Sequence, residues 1–211
     1  ISGLLITVYS FLSLLNWVSL DWFSDDNIIG LNSGASIIID DSSRLLVGLV
    51  LWQLPWRYLQ SLYMSASYGE QESPLRKIYL YALIFVSSLV VVTTAAVVFS
   101  GILSVWFGLD NTGQLHIAIN IIVVFGAVWL YHAMVLRSDA VFALNKYSEA
   151  KIIRIYRYLL SAIGFMVVLI GLGGAIDVII RMIFMEELGN AMREQIANVL
   201  AFLLASLPVW L

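Results

Sequence analysis

The sequence predicts an all-α protein: a polytopic membrane helical bundle of six transmembrane helices, built from parallel two-helix repeats. Three observations carry that prediction. Of 211 residues, 61% are hydrophobic and only 12% charged, with a mean hydropathy of +0.94, whereas a water-soluble domain carries about a quarter charged residues. So little charge cannot cover a surface with solvated groups, and the solvent for most of the chain is expected to be lipid. The apolar stretches reach the roughly 20 residues needed to cross a hydrocarbon core of about 30 Å. Runs such as residues 89–92 and 95–99 are apolar at every position rather than every second one. That excludes a transmembrane barrel and leaves helices, which pair each backbone polar group within their own segment.

Six spans are expected, in order, at residues 3–23, 45–62, 78–107, 117–136, 155–180 and 196–211. The first closes on Trp22 and Phe23, the second carries Trp52 and Trp56, and the third opens on Tyr79 and Tyr81 and closes on Trp106. The fourth lies between His116 and Arg137, the fifth opens with Tyr156 and Tyr158, and the sixth is still apolar at Leu211. Because the chain opens at Ile1 inside one apolar helix and stops inside another, both ends are expected to be truncated; a terminus left by signal-peptide cleavage would start in a polar segment.

Basic residues set the orientation. Arg57, Arg76, Lys77, Arg137, Lys146, Lys151, Arg154 and Arg157 flank the connections after spans two and four, against Arg44, Arg181 and Arg193 on the other side. The positive-inside rule places those two connections in the cytoplasm, so that the expected location is a cytoplasmic (inner) membrane. Residues 24–43, with the acidic pairs Asp25, Asp26 and Asp40, Asp41, are then an external loop. Trp17, Trp22 and Trp106 outside and Trp52, Trp56, Tyr79, Tyr81, Tyr156 and Tyr158 inside read as interfacial belts.

Sliding the chain along itself by 77 positions aligns Trp52 with Trp129, Leu59 with Leu136, Glu72 with Glu149, Lys77 with Arg154, Ile78 with Ile155, Tyr79 with Tyr156 and Tyr81 with Tyr158, without a gap. This is the signature of an internal repeat. Residues 1–43 hold the second helix of a first repeat plus the external loop; residues 44–120 and 121–193 are two-helix membrane repeats; residues 194–211 are the first helix of a further, incomplete one. Leu207 and Pro208 stand where Leu54 and Pro55 do, and Trp22 and Phe23 fall on Trp106 and Phe107 at a shift of 84. Two spans per unit mean that successive units enter the membrane in the same orientation, related by an axis along its normal. The pair 45–107 is expected to superpose on 122–184, with Lys77 and Arg154 snorkelling at headgroup level.

Residues 46–58, LVGLVLWQLPWRY, followed by residues 73–81, SPLRKIYLY, resemble the bacterial family of multi-span membrane proteins called domain of unknown function 5671. Its members pair a tryptophan-rich helix with an R-K-x-Y-L-Y-type helix. The resemblance covers about all of the chain as repeated copies, although the middle copy carries Tyr131 and His132 where Leu54 and Pro55 stand. It implies a polytopic membrane protein and supplies no catalytic residue.

Chemistry-bearing residues are few. Asp177 lies inside span five with Arg181 four residues later on the same face, so an intrahelical pair is feasible. Asp177 corresponds to Ser100, and Ser100 to Asn16, placing a polar group at one level in all three long helices. These four are the polar intramembrane candidates, for interhelical hydrogen bonding first and for ion or substrate contact second. His116 and His132 are sixteen residues apart on one helix, about 24 Å, and cannot clasp one haem; they read as the outer end of span four and an inner interfacial residue. Ser33 and Ser36 have no motif joining them to a base. The acidic pairs lack the spacing of a calcium loop, no nucleotide-binding glycine motif occurs, and the absence of cysteine excludes thiolate metal sites. Gly164, Gly171, Gly173, Gly174 and Ala175, with Thr93, Thr94, Ala95 and Ala96, mark close helix contacts.

With 11 basic and 14 acidic residues and a pI near 5.2, no nucleic-acid partner is expected. No catalytic, metal or cofactor site is expected either. The expected partners are the lipid bilayer and other membrane subunits. The function that follows is a non-enzymatic, structural or accessory subunit of a larger bacterial membrane complex. The alternatives are a transporter or channel with a polar axis between repeats, and a cofactor-binding redox protein.

Overall fold

The computed structural model describes the backbone of residues 2–23, 31–65, 74–109, 115–142, 146–184 and 189–210, and side chains within 2–20, 35–62, 75–109, 115–139, 153–184 and 189–207. These residues form six α-helices and, among them, no strand: α1 Ser2–Phe23, α2 Leu31–Ser65, α3 Pro74–Trp106, α4 Leu115–Phe142, α5 Lys146–Phe184 and α6 Asn190–Trp210. Backbone neighbours run in the order α2, α1, α4, α3, α6, α5, with α3 also touching α5. Each odd helix packs on the next even one, and α1 on α4 recurs as α3 on α6.

The pairs α1 with α2 and α5 with α6 are antiparallel. On α1 and α2, Gly3 faces Leu51 and Trp52, Thr7 faces Gly48, and Ser13 donates to Asp41 at 2.5 Å. A Cβ on Gly3 would stand 2.7 Å from the Trp52 nitrogen and one on Gly48 2.9 Å from the Thr7 nitrogen, so the two backbones touch only because both positions are glycine. On α5 and α6, a Cβ at Gly171 would meet Leu203 and one at Gly174 would meet Val199, while at Gly173 it would meet nothing. The Ala197, Ala201 and Ala205 stripe of α6 is buried. The glycines read from the sequence as contact faces therefore serve within the chain at two positions, and Gly173 is not one of them. Helix α3 ends in a Schellman motif, with Gly108 at φ 75°, its nitrogen donating to Val105 O and Leu109 N to Ser104 O.

Three expectations change. Residues 31–43 are not loop: α2 starts at Leu31, and Asp41 is buried by its bond from Ser13 and lies 3.8 Å from Arg44, which ties the acidic segment to α1. Among the described residues, four helices rather than six are long and apolar enough to cross a membrane, at Ser2–Leu20, Leu75–Trp106, Leu115–Asp139 and Ile153–Phe184. Helix α2 is diluted by Gln53, Arg57 and Gln60, and α6 by Arg193, Glu194, Gln195 and Asn198. Lys77 is buried whereas Arg154 is exposed, so only Arg154 has the exposure that snorkelling requires. Across the molecule polarity is turned outside in: Ser10, Ser104, His132 and Ser206 are fully buried, while Leu75, Ile183 and Phe184 are 72–82% exposed.

Candidate functional site

At the end of the bundle where α3 begins and α4 closes, two clefts open. The first, of about 270 Å³, is lined by Leu51, Trp52, Pro55, Trp56, Leu59, Arg76 and Tyr79. Trp52 and Trp56, one turn apart on α2, present their rings together. Pro55 between them has no N–H to donate to the helix ladder. Behind the tryptophans His132 is fully buried, with its ring centroid 5.1 Å from Tyr131, 6.2 Å from Trp56, 6.3 Å from Tyr79 and 6.4 Å from Trp52. Its Nδ1 lies 2.7 Å from the Val128 carbonyl, an arrangement that requires Nδ1 to donate. Nε2 finds no hydrogen bond among the described residues. Trp56 Nε1 donates to Tyr131 Oη at 2.6 Å. Arg76 Nη2 reaches Gln60 Oε1 and Asp139 Oδ1, each at 2.9 Å, joining α2, α3 and α4; its side chain is 5% exposed and that of Asp139 19%.

The second cleft, of about 340 Å³, is lined by Tyr81, Ile84, Trp129, Ala133, Leu136, Arg137, Ile153, Tyr156 and Arg157. Tyr156 is held by Tyr81 at 5.7 Å and Phe85 at 6.5 Å between ring centroids, with its hydroxyl 3.5 Å from Ser88 Oγ. Trp129, Ala133, Leu136, Ile153 and Tyr156 stand 77 positions after Trp52, Trp56, Leu59, Arg76 and Tyr79 of the first cleft. The exposed guanidiniums of Arg137 and Arg157 lie on its rim; their counterparts 77 positions earlier are Gln60 and Leu80.

The residues singled out from the sequence lie toward the other end, and the structure does not gather them. Asn16 Oδ1 accepts from Asn120 Nδ2 at 2.9 Å, which also donates to Ser19 at 2.9 Å, across α1 and α4. Ser100 donates to Asn198 across α3 and α6. Asp177 Oδ2 takes Arg181 Nε at 3.0 Å and Gln195 Nε2 at 2.5 Å. Among the described residues α1 touches neither α3 nor α5, and Asn16, Ser100 and Asp177 each bond to a different partner, Asn120, Asn198 and Gln195. Ser33 has no described side chain. His132, read from the sequence as an inner interfacial residue, is fully buried between helices, and Trp52, Trp56, Tyr79 and Tyr156 also pack between helices, while Trp106 and Tyr158 are 79% and 71% exposed. The sequence did carry a signal for the first cleft: Tyr131 and His132 are where the middle repeat departs from its pattern. Among the described residues no three His, Asp or Glu side chains converge as a metal site would require.

A helical bundle with two aromatic clefts at one end is the class this geometry defines. The chain belongs to the family described as domain of unknown function (DUF5671), whose sequence profile it matches over residues 1–130 and 154–211. No curated protein and no solved structure matches it.

Proposed function

We propose that the protein is a multi-pass integral membrane protein acting as a non-enzymatic structural or accessory subunit of a larger assembly in a bacterial inner membrane. The observation behind this reading is how the polar groups of the helices are used. Asn16 with Asn120, Ser100 with Asn198, Asp177 with Gln195 and Arg76 with Asp139 join one helix to another, while large apolar side chains point outward. Polar residues that bind helices together are glue; a conducting path needs them aligned along a cavity. The transporter reading depended on an axis lined by Asn16, Ser100 and Asp177, and those residues belong to separate contacts.

In this reading α2 and α6 pack against their more apolar neighbours, in antiparallel registers that follow α1 and α5 through several turns. The units are parallel two-helix repeats, supported by the recurring helix neighbours and by the 77-position correspondence of the clefts. The cleft-bearing end faces the cytoplasm by its arginines. Extraction in a mild detergent followed by size analysis and identification of co-purifying chains tests the proposal. Stable association with other membrane subunits is expected, and a monomer that alone catalyses turnover or solute flux overturns it.

A further inference from the structure

We infer that the cleft between α4 and α5 seats one anionic phospholipid, its phosphate between Arg137 and Arg157 and an acyl chain along Ile84, Trp129, Ala133 and Leu136. The inference rests on the membrane reading above. The cleft lies where the apolar stretches end: the one in α4 closes at Leu136 and the one in α5 opens at Ile155, and Arg137 and Arg157 fall within a turn of those limits. That is headgroup depth, where a basic pocket between helices recognises acidic lipid heads.

Among the described residues no ion pair engages Arg137 or Arg157. The nearest carboxylate along α4, Asp139, is engaged by Arg76 at 2.9 Å from a buried position, so it does not neutralise Arg137 two residues before it. Arginine forks match a phosphodiester by paired charge-assisted hydrogen bonds, and Tyr81 and Tyr156 supply amphipathic walls at the boundary of polar and apolar layers. The depth of the seat comes from Ala133, which stands where the first cleft has Trp56, so the space that an indole occupies there is open here. The first cleft offers no comparable site, because its guanidinium is inside, paired and covered.

Native mass spectrometry of the delipidated full chain, offered phosphatidylglycerol or phosphatidylcholine of identical acyl chains, tests this. Two basic side chains near an anionic head, at about 1 kcal/mol each, correspond to roughly a thirtyfold preference. One phosphatidylglycerol should be retained with a preference of that order, and the Arg137→Gln/Arg157→Gln pair should lower it to within about threefold of phosphatidylcholine. Ala133→Phe should reduce retention of both lipids while leaving the arginines in place. Arg154→Gln, on the same end but outside the cleft, should leave the preference unchanged; an equal loss there means diffuse surface attraction and overturns the site. Equal retention of the two lipids by the unaltered chain overturns it as well. Glycerol 3-phosphate should fail to displace the lipid; displacement at similar concentration would make this a free phosphoester site. Far-ultraviolet circular dichroism checks that each variant keeps its helices. Failure of the membrane reading is separately visible, as a chain that stays in solution without detergent and does not sediment with vesicles of either lipid.

Discussion

Between α2 and α3, a tryptophan, a tyrosine and a buried guanidinium close on one another; between α4 and α5, 77 positions later, the same tryptophan and tyrosine stand over an open groove with two arginines at its rim. Four substitutions account for most of the change. Trp56 becomes Ala133, which empties the seat; Arg76 becomes Ile153, which removes the internal cation; Gln60 and Leu80 become Arg137 and Arg157, which move charge to the surface. In the first cleft the polar groups connect three helices and His132 is enclosed by four aromatic rings. Positions 77 apart can thus serve once as a lock and once as an opening, because a buried, ion-paired cation rigidifies its surroundings while an exposed one remains able to bind.

The largest test of that contrast is Arg76→Ala. It would remove the Arg76–Asp139 pair that joins α3 to α4, and breaking a buried pair costs about 3–5 kcal/mol. Equilibrium unfolding in mixed detergent micelles should show a loss of that size. Arg137→Gln, at the rim of the second cleft, should change stability by less than about 0.5 kcal/mol, as exposed substitutions do. Equal losses at the two positions would mean that the clefts do not differ in the way described. Restoring neutrality with Arg76→Ala/Asp139→Ala should recover part of the loss, because the double change removes both members of the pair.

The first cleft also depends on where α1 holds α2. Gly3 abuts the Trp52 backbone and Gly48 the Thr7 backbone, so Gly48→Leu must push the helices apart and carry Trp52 with them. Overpacking of a tight contact costs roughly 1–3 kcal/mol. The same unfolding measurement should show it, with a shift in tryptophan emission as the indoles are exposed. Gly173→Leu, where an added side chain meets no atom, should cost little, and the second cleft should be indifferent to both. A loss at Gly173 comparable to that at Gly48 would contradict the assignment of these faces.

Composition and apolar run length made the helical class legible, because lipid leaves few solutions for the backbone. The 77-position shift pointed to Trp52, Trp129, Tyr79 and Tyr156 before any coordinate did. What the sequence hid is lateral: periodicity says which residues share a helix face, but not that Asn16 meets Asn120 or that Ser100 meets Asn198. A level shared by three polar residues therefore suggested an axis, where each of the three instead bonds to a neighbouring helix. Asp41 was misread for a related reason, since an acidic pair resembles a loop until Ser13 of α1 is known to face it. His132 shows that a departure from a repeat is itself a signal: it stands at the position of Pro55, and the first cleft is built around it.

The smallest effect separates ring packing from hydrogen bonding in the filled cleft. Trp56→Phe keeps an aromatic ring against Tyr79 and His132 but removes the N–H that reaches Tyr131 Oη at 2.6 Å; Tyr131→Phe removes the acceptor instead. Interhelical hydrogen bonds in membrane bundles average about 0.6 kcal/mol, so a double-mutant cycle should return a coupling of that order. The smaller ring of Phe adds a packing loss to the Trp56 single variant, which the cycle cancels because it is present with and without Tyr131→Phe. Coupling near zero would mean that the bond adds nothing beyond ring contact, leaving the Arg76 network and indole packing to hold the cleft shut. A coupling well above the average would identify the indole as a second lock, and would predict that Ala133→Trp, which has Pro208 rather than a tyrosine 77 positions after Tyr131, fills the second cleft without bonding across it.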